Sequence, residues 1–230
     1  VASQLDVYNM ALAMLDTSQN VQSINDKSEA AGACNRFYDW ARKKVLEGAF
    51  WDFATKAPAL SLVVDQSTLA ANAVIYPGWR FVYARPTDCL RFLAITTQYG
   101  LRTNPFKTFW WGSDRPFIGW GPFRPPYVQA IDQVNQNTPN QSINLLTDQM
   151  NAYGVYVTDV TNVGLWTQSF MEAVAWQLAV PVAGPVSANQ EAKKNAIAMA
   201  KASIVTALQV EFGQRQDDSY PESPAITARQ

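Results

Sequence analysis

The stretch "WRFVYARPTDCLRFLAI", residues 79–95, decides the fold class. Aromatic and branched side chains crowd both sides of Pro86, whose ring can neither continue a helix nor donate to a ladder. The stretch therefore reads as strands with a turn at Pro86 to Asp88. Upstream, "APALSLVV" (57–64) changes to a period of two. Downstream, "YVQAIDQV" (127–134), "SINLLT" (142–147) and "AYGVYVTDV" (152–160) are further strand candidates, with the turn-forming "NQNTPNQ" before the second of them. The middle of the chain is expected to be β-rich.

Both flanks carry helical spacing instead. Leu5, Tyr8, Leu12 and Leu15 recur at the helical period, with Ser3 placed to cap the exposed amides of the first turn. Asp26 and Glu29 have the spacing of a capping box, and Ala30, Cys34, Phe37, Ala41 and Val45 mark one face of a second helix that Gly48 is expected to end. From about Thr167, Phe170, Val174 and Leu178 share a face, while Met171, Ala175 and Trp176 make the other sides apolar. Such a helix should be buried on most of its circumference, and Pro181 and Gly184 are expected to end or kink it. A last helix from about Ser187 to Phe212 carries a stripe of mostly small residues, Ala192, Ala196, Met199, Ser203, Ala207 and Val210.

The expected class is α+β. An α-helical bundle body of two N-terminal helices (1–56) and two C-terminal helices (161–212) brackets a central antiparallel β-rich part (57–160). That part bears a long aromatic insertion at about 99–127, and a polar, proline-bearing tail (213–230) should be extended or disordered by itself.

Composition narrows the chemistry. The formal charge of -1 lacks the basic excess of a phosphate-gripping protein. The most apolar window, "AVAWQLAVPVAGPV" (173–186), is too short for a membrane span, and no stretch reads as a signal peptide, so neither membrane nor secretory life is expected. With no histidine, the His-dependent triads, dyads and imidazole metal sites are excluded, and no Gly-rich phosphate loop occurs. Cys34 and Cys89 are expected to be buried, reduced thiols, and Asp88 a turn or capping group. No catalytic, cofactor or metal residue is assigned, and no enzyme is expected.

Several of these stretches together resemble a known family, the head-to-tail adaptor proteins of short-tailed and related bacteriophages, also called tail tubular protein A or portal-adaptor proteins. "FYDWARKKVLEGAFWDFATKAPAL" (37–60) is similar to that family's second helix and the aromatic turn after it, carried by Trp51, Phe53 and Ala54. "WRFVYARPTDCLRFLAI" resembles its aromatic strand running into Pro-x-Asp-Cys-Leu-Arg, carried by Tyr83, Pro86, Asp88, Cys89, Leu90 and Arg91. "FMEAVAWQLAVPVAG" (170–184) resembles its buried helix. The likeness covers roughly 5–98 and 142–212, and departs from the family at the aromatic insertion and after Gly213. It implies a virion protein of the neck or tail, assembled in the host cytoplasm: a ring, usually twelve-membered, that joins the portal to the tail nozzle or tail tube while DNA passes through without specific binding.

The insertion is the open question. "TNPFKTFWWGSDRPFIGWGPFRPPY" (103–127) sets Phe106, Phe109, Trp110, Trp111, Phe117, Trp120 and Phe123 among prolines and glycines. The rings either stack sugars, pack on their own subunit, or dock on a partner that hides them. A fully buried Trp or Phe removes on the order of 150 to 250 Å² from water, so several left exposed would invite aggregation. Docking on a neighbouring subunit, the portal or the next tail component is the favoured reading, with Tyr220 and Ile226 as apolar anchors of the tail. A carbohydrate-binding or cell-wall glycoside-cleaving tail component is the alternative, carried by Trp110, Trp111 and Trp120 beside Asp114.

Overall fold

The computed structural model describes residues 2–70, 73–97, 127–132, 142–186 and 190–214. They form an α+β protein of two compact units. The described residues of Val1–Asp52 and Asn162–Gln230 make a helical unit, and those of Phe53–Thr161 make a β unit.

The helical unit begins with α1 (Gln4–Ala13). Its start is a reciprocal capping box: the Ser3 hydroxyl accepts from the Asp6 amide at 3.3 Å, and the Asp6 carboxylate accepts from the Ser3 amide at 2.8 Å. Asp16, at φ 53, then turns the chain out of the helix into a loop. The start of α2 (Glu29–Gly48) corrects the expected Asp26–Glu29 box. Ser28 is the cap, accepting from the Ala31 amide at 3.3 Å, and Asp26 accepts from the Ser28 amide at 3.1 Å one turn earlier. The shorter hydroxyl side chain sits closer to the first free amides and takes the capping position. On the inward face, Tyr38 replaces the expected Phe37, which is only half-buried.

The helix α3 (Gln168–Val186) is the hub of this unit and packs against α1, α2 and α4 (Gln190–Gln214). Phe170, Ala173, Val174, Ala175, Leu178 and Ala179 are all fully buried, as the apolar circumference requires. The helix does not end at Pro181 or Gly184, for α3 runs through both and through Pro185 to Val186. The lost amide donor costs about 3 kcal/mol in a helix interior, but proline's fixed φ is helical, and buried Val182 and Ala183 hold the last turn down. Trp51 closes the core, its ring centre 4.8 Å from that of Phe170 and its indole N–H donating to the Val45 carbonyl at 3.0 Å. Along α4 the inward stripe is Ala192, Ala196, Ala200, Ser203 and Ala207. Met199 and Val210, expected in that stripe, are instead 37% and 43% exposed.

The β unit holds two antiparallel sheets. One has the order β1 (Thr55–Lys56), β7 (Tyr153–Thr158), β4 (Cys89–Thr96), and the other β2 (Leu62–Asp65), β3 (Phe81–Ala84), β6 (Ile143–Thr147), β5 (Tyr127–Ile131). Of the expected strand over 57–64 only Leu62 to Val64 lies in a strand, β2; Ala59 makes an isolated bridge to Tyr153, and β1 lies before the stretch. The strands on either side of Pro86 do not pair with each other: β3 joins β6 and β2, while β4 joins β7. Between the sheets lies one core of Leu60, Phe81, Tyr83, Phe92, Ile95, Leu145, Ala152 and Tyr156. Gly154 is required there, since a Cβ at this position would stand 2.6 Å from Leu60 Cδ2 and 2.8 Å from Phe92 Cε2.

Two of the crossings between the sheets are pinned by a side chain. At 86–88 the Arg85 guanidinium donates to the Cys89 and Leu90 carbonyls at 3.0 and 2.9 Å. At 148–152 the Tyr83 hydroxyl donates to the Gln149 carbonyl at 2.9 Å and accepts from the Ala152 amide at 3.3 Å. The outer face of the four-stranded sheet, around Val82 and Leu146, is covered by Ile75, Tyr76 and Trp79 from the connection before β3. Gln66 fixes that connection with all four sites of its buried amide. Nε2 donates to the Tyr76 and Trp79 carbonyls at 2.9 and 2.6 Å, and Oε1 accepts from the Ile75 and Tyr76 amides at 2.9 and 2.8 Å.

Candidate docking surfaces

The polar centres of the described residues are tied into the fold by hydrogen bonds. Asp88 follows the Pro86 turn, and its carboxylate accepts from Lys56 Nζ at 2.7 Å, the Tyr156 hydroxyl at 2.8 Å and the Thr158 hydroxyl at 2.9 Å. Three elements distant in sequence, β1, the turn and β7, thereby meet at one side chain. The Lys56 hydrogen bond, joined by those from Tyr156 and Thr158, holds the Asp88 carboxyl down at about 2, so it stays ionised. Burial pushes the Tyr156 phenol up, and its bond to the Asp88 carboxylate adds to this. A carboxylate with three donors already in place has little capacity left to move a proton.

The other titratable groups carry the same message. Asp132, nearly buried, accepts from the Ser142 hydroxyl at 2.8 Å and the Asn144 amide at 2.9 Å, closing the end of the β5–β6 ladder. Burial pushes the Cys34 thiol up to about 11 and the Tyr38 phenol up to about 12, leaving both protonated at neutral pH. Both cysteines are free; Cys89 is half-buried, and burial is the main cause that raises its thiol too. Among the described residues no three His, Cys, Asp or Glu side chains come together as a metal site.

The surfaces have more to offer than the polar centres. Trp40 is 45% exposed on the outward side of α2, opposite the buried line of Cys34, Tyr38, Ala41 and Val45, with Lys44 Nζ 4.6 Å from its ring centre. A half-exposed tryptophan offers a partner a large apolar surface with a polar tip. On α4, Ile197 and Val205 are 40% and 55% exposed, so this helix is apolar on its outward side as well as on the side facing α3. Ile24 is 39% exposed at the tip of the α1–α2 loop, and that loop is tied down on both sides. Asn9 exchanges two hydrogen bonds with the Val21 backbone at 2.9 and 3.0 Å, and the Asn35 amide donates to the Ile24 carbonyl at 2.7 Å. In the β unit, Val128 and Ile131 of the edge strand β5 and Leu62 of the opposite edge strand β2 are also exposed.

The docking residues expected from the sequence, Phe106, Phe109, Trp110, Trp111, Phe117, Trp120, Phe123, Tyr220 and Ile226, lie outside the described residues. Of the aromatic stretch only its last residue is described. Tyr127 sits against Phe92, ring centres 5.1 Å apart, and donates to the Leu93 carbonyl at 3.3 Å. Trp40, Ile197 and Val205 lie outside the buried stripes that the helical periodicity marks. The signal was present in the reverse pattern, an apolar residue set among Arg36, Lys43, Lys44 and Glu47. Among the described residues no helix is long and apolar enough to cross a membrane. No protein-family model matches the chain, and no curated protein matches it either.

Proposed function

We propose that the chain is a noncatalytic structural subunit, the head-to-tail adaptor of a bacteriophage particle. It closes into a ring between portal and tail, carries the symmetry of one to the other and keeps the DNA channel continuous. The resemblance of the 37–60, 79–95 and 170–184 stretches is the ground for this reading. The observation that carries it furthest in the molecule is the set of exposed apolar side chains on different elements of the helical unit, Ile24 on the α1–α2 loop, Trp40 on α2 and Ile197 with Val205 on α4.

A ring of identical copies needs two different, complementary patches on each subunit, and a chain with one apolar patch has no second partner surface to offer. The polar centres point the same way, since Asp88, Asp132 and Cys34 are each committed to holding the fold. The finer architecture belongs to the proposal too: the four helices are the bundle body, and the aromatic insertion is a docking segment for a neighbouring subunit, the portal or the next tail component.

Co-sedimentation with the portal protein of the same phage tests this. Portal and chain should travel as one species of defined stoichiometry. A chain that stays at the top of the gradient at every ratio would end the adaptor reading.

A further inference from the structure

We propose that the outward face of α4, built around Ile197, Lys201 and Val205, docks on the acidic α1 and loop side of a second copy of this chain. The inference rests on the ring reading and names the surface that would close it. Its first ground is position. Among the helices α4 packs substantially against α3 alone, whereas α1 and α2 touch each other and α3. The α4 face is therefore carried by a helix other than those that bear Ile24 and its acidic neighbours, so the two patches are distinct surfaces of one subunit.

The second ground is charge. From 190 to 210, α4 carries Lys193, Lys194 and Lys201 against one acid, Glu191, which already pairs with Lys194 at 3.3 Å. Exposed Lys193 and Lys201 thus leave the face basic. On the other side, residues 2–35 hold Asp6, Asp16, Asp26 and Glu29 against Lys27 alone. Ile24 stands out from the middle of this acidic run, on backbone that Asn9 and Asn35 fix in advance, so little ordering cost remains when a partner covers it. A basic aliphatic face and an acidic face with a fixed aliphatic tip complement each other. A two-fold contact centred on α4 would set lysines against lysines, whereas a head-to-tail contact sets them against aspartates and repeats from copy to copy.

Cysteine pairing on the full chain tests the assignment. Ile24→Cys and Ile197→Cys are made as separate variants and mixed under mild oxidation, with and without portal. Both positions are exposed, and circular dichroism verifies the fold of each variant. Mixed chains should cross-link to each other, neither variant should cross-link to itself, and the wild type should give no ladder. A double Lys193→Glu, Lys201→Glu variant should lose at least about 10-fold in self-association, as removal of two complementary charge contacts requires. If the wild type assembles but Ile197→Cys pairs only with itself, or with nothing, the face is misassigned while the ring survives. If the double glutamate variant loses portal binding and keeps self-association, the α4 face belongs to portal and the proposal falls. If the wild type never associates, with or without portal, the ring reading fails and this inference fails with it.

Discussion

Asp88 offers the sharpest test of how the β unit is held, because one carboxylate gathers donors from β1 and β7 that lie 32, 68 and 70 residues away in sequence. In Asp88→Asn one oxygen keeps an acceptor, but the new NH2 group faces Lys56 and hydroxyls that now need somewhere else to donate. The depression of the carboxyl from its ordinary 3.8 to about 2 bounds the charged contribution. At about 1.4 kcal/mol per pH unit the full difference is ~2.5 kcal/mol. The side chain is 41% exposed, so solvent screening reduces this to about 1 kcal/mol. Adding a neutral hydrogen bond lost at about 1 kcal/mol, Asp88→Asn should destabilise by about 2 kcal/mol at neutral pH.

The pH dependence isolates the charge. A group that titrates at about 2 when folded and at 3.8 when unfolded contributes fully above pH 4 or so, and loses that contribution as the pH falls through the folded value. Urea unfolding at about pH 6 and about pH 2.5, followed by circular dichroism, should show wild type losing about 0.7 kcal/mol more than Asp88→Asn between the two, since the folded carboxyl is still partly ionised at the lower pH. Carboxylates common to both proteins, such as Asp6 and Asp65, cancel in the comparison. Equal stability at neutral pH, or the same acid loss in both, would refute the assigned role of the cluster.

Three further substitutions follow from the packing. Trp51→Ala removes a fully buried ring and the indole donor to the Val45 carbonyl, and should cost about 3–5 kcal/mol by urea unfolding. Gln66→Glu keeps the shape but turns an oxygen toward the Tyr76 and Trp79 carbonyls, so stability should fall by at least about 2 kcal/mol, with faster hydrogen exchange across 75–80. Gly154→Ala drives a methyl into Leu60 and Phe92, and should lower stability by about 1–3 kcal/mol, a loss that a smaller residue at Leu60 partly restores.

The helices were legible because their information is local. Ser3 and Asp6 cap α1 as neighbours must, and the apolar circumference of 170–179 announced a buried hub. Local signals also misled where a nearer competitor existed, as Ser28 displaced the Asp26–Glu29 box, or where packing outweighed a proline, as in α3. The strands were legible as strands, but their partners were not. Nothing within 79–95 says that β3 and β4 enter different sheets, because that depends on β6 and β7 some sixty residues later. The same distance hid the partners of Asp88, and the docking faces were hidden by attention to buried stripes. Trp40 stands out only once the inward side of α2 is fixed.

Negative-stain electron microscopy of the purified chain mixed with portal addresses the central claim most directly. Closed rings of one subunit number, seated on portal and absent from portal alone, are the expected image. Single particles of one chain's size beside undecorated portal, at every ratio tried, would contradict it.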